Sequence, residues 1–319
     1  MRRDVGRRAW GVVVLASLMS ASLPAQSVTV TGRVLHGGAD DRPVARQVVV
    51  LHESRRGGGG PVDSIRTDAA GRYRLTIPRA DSTAVYLVST LFRDVAYFSR
   101  ELRVEGRTLS EAEPIVVYDT TAGGPPMRLD RRLLTLFQAG KDGGRPVLEL
   151  LEITNPGRRT RIAADTSSPV WTVALPAGAM GWEAGEGDLS PQALRVAGDL
   201  VQVFAPIGPG APRQISFHYS LTGSTVRIPV DQWTKELDLL VEDSTAVPAG
   251  ALFDALGSHD FEGRRFTAYR AGPLDAGTEV TVRFARAPMR PERLVPYVAG
   301  IAGLALAWGL WVALRRKAV

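Results

Sequence analysis

Cysteine is absent from this chain of 319 residues, and histidine occurs only four times. The lack of cysteine excludes disulfide bonds, thiolate metal sites and a cysteine nucleophile. The histidines do not follow a metal-binding spacing such as His-x-x-x-His; they are His36, His52, His218 and His259. These shortages predict a protein without a cofactor and without a metal site.

Basic charge is concentrated at the two ends, and the long stretch between them carries no net charge. The formal charge is +6, of which residues 1–25 contribute +3 and residues 315–317 contribute +3. Binding to nucleic acid requires clustered basic residues in the folded part of a protein. The neutral central stretch therefore predicts that nucleic acid is not a partner.

The N-terminal residues have the pattern of a secretory signal peptide. The basic stretch MRRDVGRR is followed by the short apolar run WGVVVLASLMSASL, and the small residue Ala25 marks a cleavage position. We predict a signal peptide over residues 1–25. An uncleaved N-terminal anchor is the alternative interpretation.

The longest hydrophobic run lies at the other end, from Val295 to Leu314. It contains 20 residues without a charge, and the basic residues Arg315–Lys317 follow at once. A run of this length spans a bilayer as a helix, and basic residues stay on the cytoplasmic side. We predict a single transmembrane helix over residues 295–314, an extracytoplasmic ectodomain and a cytoplasmic tail over 315–319. A buried core helix is the alternative.

Helical periodicity is nearly absent between these two segments, and short alternating runs separated by Gly, Pro, Asp and Ser recur instead. This rhythm is typical of β-sandwiches, so we predict an all-β fold with two Ig-like or transthyretin-like sandwich domains. The predicted segments are a first domain over 26–118, a linker over 119–129, a second domain over 130–286 and a stalk over 287–294. The run RRGGGG, residues 55–60, favours a flexible loop because it contains four consecutive glycines.

The stretch SIRTDAAGRYRLTIP, residues 64–78, predicts a tight corner that leads into a strand. Asp68 can accept hydrogen bonds from the turn backbone, and Gly71 can adopt a positive φ. After Gly71 the apolar residues Tyr73, Leu75 and Ile77 alternate with polar ones, which is the period of a half-buried strand.

This corner, together with the segments before it, resembles the carboxypeptidase regulatory-like domain over about 80 residues. The matching residues are Gly32, Val34, Pro43, Val44, Thr67, Asp68, Gly71, Tyr73 and Leu75. The resemblance implies a transthyretin-like sandwich of seven strands and a structural role for the turn residues Thr67, Asp68, Gly71 and Tyr73. Arg46 stands where the family commonly has glycine. The Lys–Asn isopeptide bond of related domains is excluded, because the first lysine of the chain is Lys141.

One polar cluster invites a catalytic or metal-binding interpretation, the segment GSHDFEG at residues 257–263. Its candidate residues are Ser258, His259, Asp260 and Glu262. A nucleophile, a base and an orienting group usually converge from separate elements, so we interpret the cluster as a hydrated turn. The sequence thus predicts a protein that is not an enzyme and has no catalytic residues.

Exposed aromatic side chains can stack on sugars, and three tryptophans are candidates for such a contact. Trp171 belongs to the alternating run VWTVALP, which favours a core position, and Trp233 has no distinguishing context. Trp182 lies in the glycine-rich stretch MGWEAGEG, which predicts a loop. Trp182 is therefore the candidate ligand contact.

Taken together, these patterns predict a non-catalytic, single-pass membrane protein whose β-sandwich modules face the extracytoplasmic side. The expected role is protein–protein contact or envelope assembly. One alternative is carbohydrate binding at the cell envelope. Another is an accessory subunit of an envelope enzyme or transporter.

Overall fold

The computed structural model describes residues 27–104, 112–250 and 252–285. The predicted signal peptide, transmembrane helix and tail lie outside these ranges, as does the predicted stalk. No helix within the described ranges is long and apolar enough to cross a membrane. The described chain is all-β, which confirms the all-β part of the predicted fold.

The described residues contain twenty-three strands and two single-turn 3-10 helices, which are joined by turns and irregular segments. The first nine strands are β1 (Val28–His36), β2 (Arg42–Pro43), β3 (Val48–Arg55), β4 (Gly58–Arg66), β5 (Arg72–Ile77), β6 (Val85–Phe92), β7 (Val95–Phe98), β8 (Ile115–Val117) and β9 (Thr120–Thr121). The next eight are β10 (Arg128–Leu136), β11 (Arg145–Thr154), β12 (Thr160–Arg161), β13 (Trp171–Ala174), β14 (Met180–Ala184), β15 (Leu194–Ala197), β16 (Leu200–Val203) and β17 (Arg213–Leu221). The last six are β18 (Thr225–Pro229), β19 (Leu237–Val241), β20 (Val247–Ala249), β21 (Asp254–Phe261), β22 (Arg264–Ala271) and β23 (Glu279–Arg283). The 3-10 helices are Gly37–Ala39 and Pro191–Ala193.

The described chain divides into two compact units by its internal contacts. The first unit contains residues 27–33, 45–90 and 98–115, and the second contains residues 34–44, 91–97 and 116–285. The boundaries expected from the sequence, with a first domain ending at residue 118 and a linker over 119–129, stay predictions.

The first unit contains strands from two sheets. In one sheet β1 pairs with β5, and in the other β3 pairs with β4 and with β6. In β5 every second residue is buried, as the period of a half-buried strand requires. Sheets with one buried face each are consistent with a sandwich.

The run RRGGGG is not a loop, and this prediction is wrong. Its last three glycines begin β4 and pair with residues 53–55 of β3, so that only Arg56 and Gly57 form the hairpin turn. Gly57 and Gly58 have φ values of 94° and 151°, which only glycine adopts readily. The glycines therefore serve a tight hairpin rather than a flexible loop.

A seven-stranded sheet forms the centre of the second unit, in the order β14-β17-β11-β10-β19-β22-β21. Its neighbouring strands are antiparallel except for β10 and β19, which are parallel. Two three-stranded sheets, β13-β16-β15 and β18-β23-β20, and the short pair β12-β9 complete this unit. Their buried residues join one face of the large sheet in a single hydrophobic cluster.

Candidate functional site

The corner at residues 67–71 has the geometry of a capped turn. Asp68 Oδ1 accepts hydrogen bonds from the backbone N–H groups of Ala70 and Arg72, both at 2.8 Å. Thr67 is buried, and its Oγ1 accepts from the backbone N–H of Gln47 at 2.9 Å. The side chains of Thr67 and Asp68 thus accept hydrogen bonds from the backbone at the corner.

Gly71 and Tyr73 complete this arrangement. Gly71 has a φ of 70°, which is strained for residues with a Cβ. Tyr73 is buried and lies directly opposite Gly32 in the β1–β5 pair. Its ring covers the glycine so closely that a Cβ on Gly32 would lie 2.5 Å from Tyr73 Cζ. Burial raises the pKa of Tyr73 to about 12.

Arg46 also adopts a left-handed conformation, with a φ of 58°. Its backbone N–H donates to the carbonyl of Thr67 at 3.0 Å, and its own carbonyl accepts from Arg66 at 3.0 Å. These bonds hold the backbone in a region that favours glycine.

The cluster at residues 257–263 does not form a loop, and this prediction is wrong. Residues 254–261 form β21, the outer strand of the seven-stranded sheet, and only Glu262 and Gly263 make the turn to β22. Successive side chains of a strand point to opposite faces, so His259 faces away from Ser258 and Asp260.

The contacts of the cluster agree with this separation. Asp260 pairs with Arg265 at 3.0 Å, and the hydrogen bond from Arg265 lowers the pKa of Asp260. Ser258 Oγ lies 3.3 Å from Thr267 Oγ1, whereas the His259 ring lies 6.3 Å from the Phe261 ring. Ser258, His259 and Asp260 are thus not aligned as a nucleophile, a base and an orienting group.

Trp182 lies in strand β14 and not in a loop, so the loop prediction is wrong. Its ring is half-buried, packs against the hydrophobic cluster of the second unit and lies 6.0 Å from the Phe217 ring at an angle of 41°. The indole Nε1 is buried without a hydrogen-bond partner among the described residues. Part of this ring therefore packs against the core of the second unit.

The other two tryptophans differ in their exposure. Trp171 is buried, which confirms its core position, and its Nε1 donates to Gln232 Oε1 at 2.7 Å. Trp233 is partly exposed, and the Arg128 guanidinium lies 5.8 Å from its ring centroid. A cation over the ring occupies the face that a sugar would use.

A histidine–carboxylate pair that the sequence did not suggest occurs in the second unit. His36 Nε2 lies 3.4 Å from Asp119 Oδ2, and Arg93 Nε lies 3.3 Å from the other oxygen of the same carboxylate. The His36 ring meets the Phe92 ring edge-on at 5.6 Å. Because these residues are far apart in sequence, no local motif could have indicated the pair.

A polar groove of about 650 Å³ lies beside Tyr86 in the first unit. Tyr86 is fully buried, accepts a hydrogen bond from the backbone N–H of Asp81 at 3.0 Å and donates to Glu53 Oε1 at 3.3 Å. Burial raises the pKa of Tyr86, whereas hydrogen bonds from Thr83 lower the pKa of Asp81. Glu53 is also paired with Arg55 at 2.8 Å. Three charged residues that line the groove, Glu53, Arg55 and Asp81, therefore already have hydrogen-bonding partners.

A fully buried ion pair crosses the main core of the second unit. Arg132 Nε donates to Glu149 Oε1 at 2.7 Å, and Tyr219 Oη donates to Glu149 Oε2 at 2.8 Å. The Arg132 guanidinium also donates to the backbone carbonyls of Pro229 and Ala174. Burial raises the pKa of Tyr219 well above its usual range. The pair lies among buried apolar residues and joins three strands of the large sheet, β10, β11 and β17, to one strand of each three-stranded sheet, β18 and β13.

The opposite face of the same sheet carries a second charged network. Asp238 is buried and accepts from Arg131 at 2.8 Å and from Arg270 at 2.7 Å. Glu236 lies 3.2 Å from Arg270, and burial together with the charge of Asp238 raises the pKa of Glu236. Networks of this kind can help to specify strand register.

The ranges that the structure describes contain no preformed metal-binding site. No group of three histidine, aspartate or glutamate residues there is arranged to hold a metal ion. Asp165 has the most strongly lowered carboxyl pKa, about 2, because the side chains and backbone N–H groups of Ser167 and Ser168 donate to it. This is an Asx-type turn and not a ligand site.

Comparison with known proteins gives no family. No protein-family model matches the sequence, and no curated protein matches it. Similar solved structures include an M1 zinc metallopeptidase from Deinococcus radiodurans, which is 13% identical with a TM-score of 0.31 over 49% of this chain and 42% of that chain. The major pilins SpaA and SpaD from Corynebacterium diphtheriae are 11% and 10% identical, with TM-scores of 0.21 and 0.19. The SpaA similarity covers 81% of this chain and 84% of that chain, and the SpaD similarity covers 83% and 88%.

These similarities support neither a shared fold nor a shared function. The TM-scores are low, and the present chain spans less than half of the metallopeptidase chain.

Proposed function

We propose that this protein is a membrane-anchored extracytoplasmic protein that presents β-sandwich modules for protein–protein contact or envelope assembly and catalyses no reaction. The observation that carries the proposal is the charge-free segment Val295–Leu314 with its basic end at Arg315–Lys317, joined to a described region that is all-β. A helix of 20 residues is about 30 Å long, which matches the hydrocarbon core of a bilayer.

In the proposed architecture, a single transmembrane helix holds two sandwich domains outside the cytoplasm. The first domain is proposed to be carboxypeptidase regulatory-like and therefore transthyretin-like. The close packing of Tyr73 on Gly32 and the capped turn at Asp68 support this proposal, because they give a physical reason for three of the matching residues. The positive φ of Arg46 supports it as well, since the family commonly has glycine there.

Protein contact is favoured by the open edges of the seven-stranded sheet. Strands β14 and β21 each have a neighbour on one side only among the described strands. An open strand edge can pair with a strand of another chain. An envelope enzyme or transporter that this protein assists is one such partner. Carbohydrate binding has less support, because the Trp182 ring packs against Phe217.

Reporter fusions test the membrane topology. A reporter fused after Val319 should be active only on the cytoplasmic side, and one fused at Arg286 should be active only outside, because the basic tail is retained in the cytoplasm. The opposite pattern of reporter activity would overturn the proposed orientation. If both fusion proteins were found in the soluble fraction, the proposed transmembrane anchor would be overturned.

Photo-crosslinking in cells tests the contact. A photoreactive amino acid at Met180, which is 55% exposed on β14, or at Ser258 on β21 should give an adduct with another polypeptide. The same amino acid at Val48, which is 39% exposed on the inner strand β3, serves as the control. If the edge positions give no more adduct than Val48, the sheet edges are not the contact surface.

A variant without the polar cluster separates contact from catalysis. Changing Ser258, His259 and Asp260 together to Ala should preserve the adduct at Met180 and the function of the protein in cells that lack the natural copy. Loss of cellular function with unchanged membrane level and unchanged adduct would contradict the non-catalytic proposal and indicate chemistry on β21.

A further inference from the structure

An exposed apolar patch lies between two open strand edges of the second unit. It surrounds a groove of about 300 Å³ between β20 and the start of β21. The residues that line this apolar patch are Ala246, Val247, Pro248, Leu252, Phe253, Ala255 and Tyr269. Ala246 forms its buried floor, and Phe253 and Tyr269 are partly buried against the hydrophobic cluster of the second unit. Leu252 is 96% exposed and Val247 is 61% exposed. Exposure of two large aliphatic side chains on one groove is unfavourable in water, and it indicates a surface for interaction.

The apolar patch is adjacent to the point where the chain leaves the described fold. Val247 pairs directly with Arg283 of β23, and the backbone N–H of Ala285 donates to Thr245 Oγ1 at 3.2 Å. Ala285 is the last described residue. The segment that continues toward the predicted transmembrane helix therefore starts beside the patch.

The length of that segment limits how far the patch can be from a bilayer. Only nine residues, 286–294, separate Ala285 from Val295. Even a fully extended segment of nine residues spans only about 30 Å. The segment carries three arginines and one glutamate, and its net positive charge favours a position near anionic headgroups.

A lipid surface is a better occupant of the patch than the connecting segment 286–294. Residues 286–294 include four charged residues and two prolines, with Met289 and Leu294 as the large apolar residues, so they offer little to fill an apolar groove. Leu252 protrudes into solvent, and a protruding leucine can enter the interfacial region of a bilayer without a shaped pocket. Tyr269, with an apolar ring and a polar hydroxyl, is typical of residues at that interface.

We propose that the apolar patch docks on the headgroup and upper acyl region of the bilayer that holds the anchor. This inference rests on the proposed function, since it requires the segment 295–314 to be inserted. Docking would orient the second unit with β20 and the start of β21 toward the membrane.

Depth-dependent fluorescence quenching tests this docking on the full-length chain. The chain lacks cysteine, so Leu252→Cys provides a single labelling site, and Val196→Cys provides a control at another exposed aliphatic residue. Each labelled protein is reconstituted in vesicles of phosphatidylcholine and phosphatidylglycerol that contain a lipid with a quencher in the upper acyl chain. Quenching at position 252 should be at least about twofold stronger than at position 196, because lipid quenchers act only at short range.

Two results would overturn the docking: equal quenching at both positions, and no quenching by lipid at position 252. In the second case, a label at position 252 that is also shielded from aqueous iodide in detergent would show that protein covers the patch. Shielding that rises with protein concentration would identify a second copy as the occupant, and constant shielding would identify the segment 286–294.

Alkaline carbonate extraction distinguishes this inference from the proposed function. Release of the unlabelled protein from membranes would overturn the anchor and the docking together. Retention in the membrane without quenching at position 252 would overturn the docking alone.

A second set of variants guards against effects of the label itself. Ala255→Cys places the label at the rim of the patch, and its lipid quenching should fall at least about twofold when Val247→Ser and Leu252→Ser are added. The matched control Val196→Ser should leave that quenching unchanged. Unchanged quenching in the Val247→Ser, Leu252→Ser background would contradict the proposal.

Discussion

Gly32 and Tyr73 face each other across the β1–β5 pair, and the aromatic ring occupies the space that any side chain at position 32 would need. This contact places the phenol over the backbone of β1 in the core of the first unit. It also explains why a strand interior, where glycine is normally unfavourable, contains glycine here.

Gly32→Ala should destabilise the protein by about 1–3 kcal/mol, since the new Cβ would force the Tyr73 ring out of its position. The measurement is the urea midpoint of unfolding, followed by circular dichroism. The cost should be much smaller when Tyr73→Leu is already present, because the obstructing ring is then gone. Equal costs in the two backgrounds would show that the ring does not impose the requirement for glycine.

Tyr73→Phe should reduce the loss of stability at high pH. The pKa of Tyr73 is raised from 10.0 to about 12, so its contribution to stability is complete below pH 10 and is lost as pH rises through the folded-state value. This loss amounts to about 1.4 kcal/mol for each pH unit between the two pKa values. Denaturation curves at increasing pH should separate the two proteins only in the alkaline range.

The neutral range provides the internal control for that experiment. Tyr73 Oη has no hydrogen-bond partner among the described residues, so its removal should leave stability at pH 7 unchanged or slightly increased. Parallel pH profiles for both proteins would mean that the buried phenol does not ionise on unfolding.

Asp68→Ala should cost about 1 kcal/mol, because two backbone N–H groups lose their acceptor. Gly71→Val should cost more, since a β-branched residue resists the φ of 70° found there. Thermal unfolding of both variants provides the comparison. A variant that melts normally but no longer forms the adduct at Met180 would move the corner from a structural to a functional role.

Arg46→Gly should stabilise the protein, against the usual effect of glycine substitutions. Relief of the left-handed conformation is worth about 1 kcal/mol, and it outweighs the added flexibility of the unfolded chain. The control is Arg72→Gly, at an exposed position in β5, which should destabilise. A lower melting temperature for Arg46→Gly would show that contacts of the arginine side chain outweigh the backbone strain.

Arg132→Met should destabilise the protein by about 3–5 kcal/mol, since it leaves the Glu149 carboxylate buried without its cation. Adding Glu149→Leu should recover a large part of this loss, because no unpaired charge then remains in the core. Chemical denaturation of both single variants and the double variant yields the coupling energy. Additive costs would mean that the two charges act independently.

Alternation of apolar residues was sufficient to predict strands wherever one face is buried, as in β5, and to place Trp171 in the core. It failed for β21, whose outer-strand residues are mostly exposed and show no apolar period. It also failed for residues 58–60, because a hairpin of glycines is held by backbone pairing, which composition does not reveal.

The charged residues of the core show a different limit of sequence reasoning. Glu149 lies between Leu148 and Leu150, and Arg132 is followed by Leu133 and Leu134, but the partner of each charge depends on strand pairing. His36 and Asp119 have no local signal at all. Pairings of this kind follow from the sheet order, and the sequence alone does not specify that order.

The parallel pairing of β10 with β19 has a consequence for the order in which the second unit can be assembled. Arg131 of β10 and Asp238 of β19 are 107 positions apart, so β10 emerges during synthesis long before its neighbour exists. Contacts between such distant segments form slowly. Until β19 arrives, β10 presents an open hydrophobic edge of the kind that promotes aggregation. A chain interrupted before residue 237 would keep that edge, which makes such fragments natural targets for chaperones and proteases.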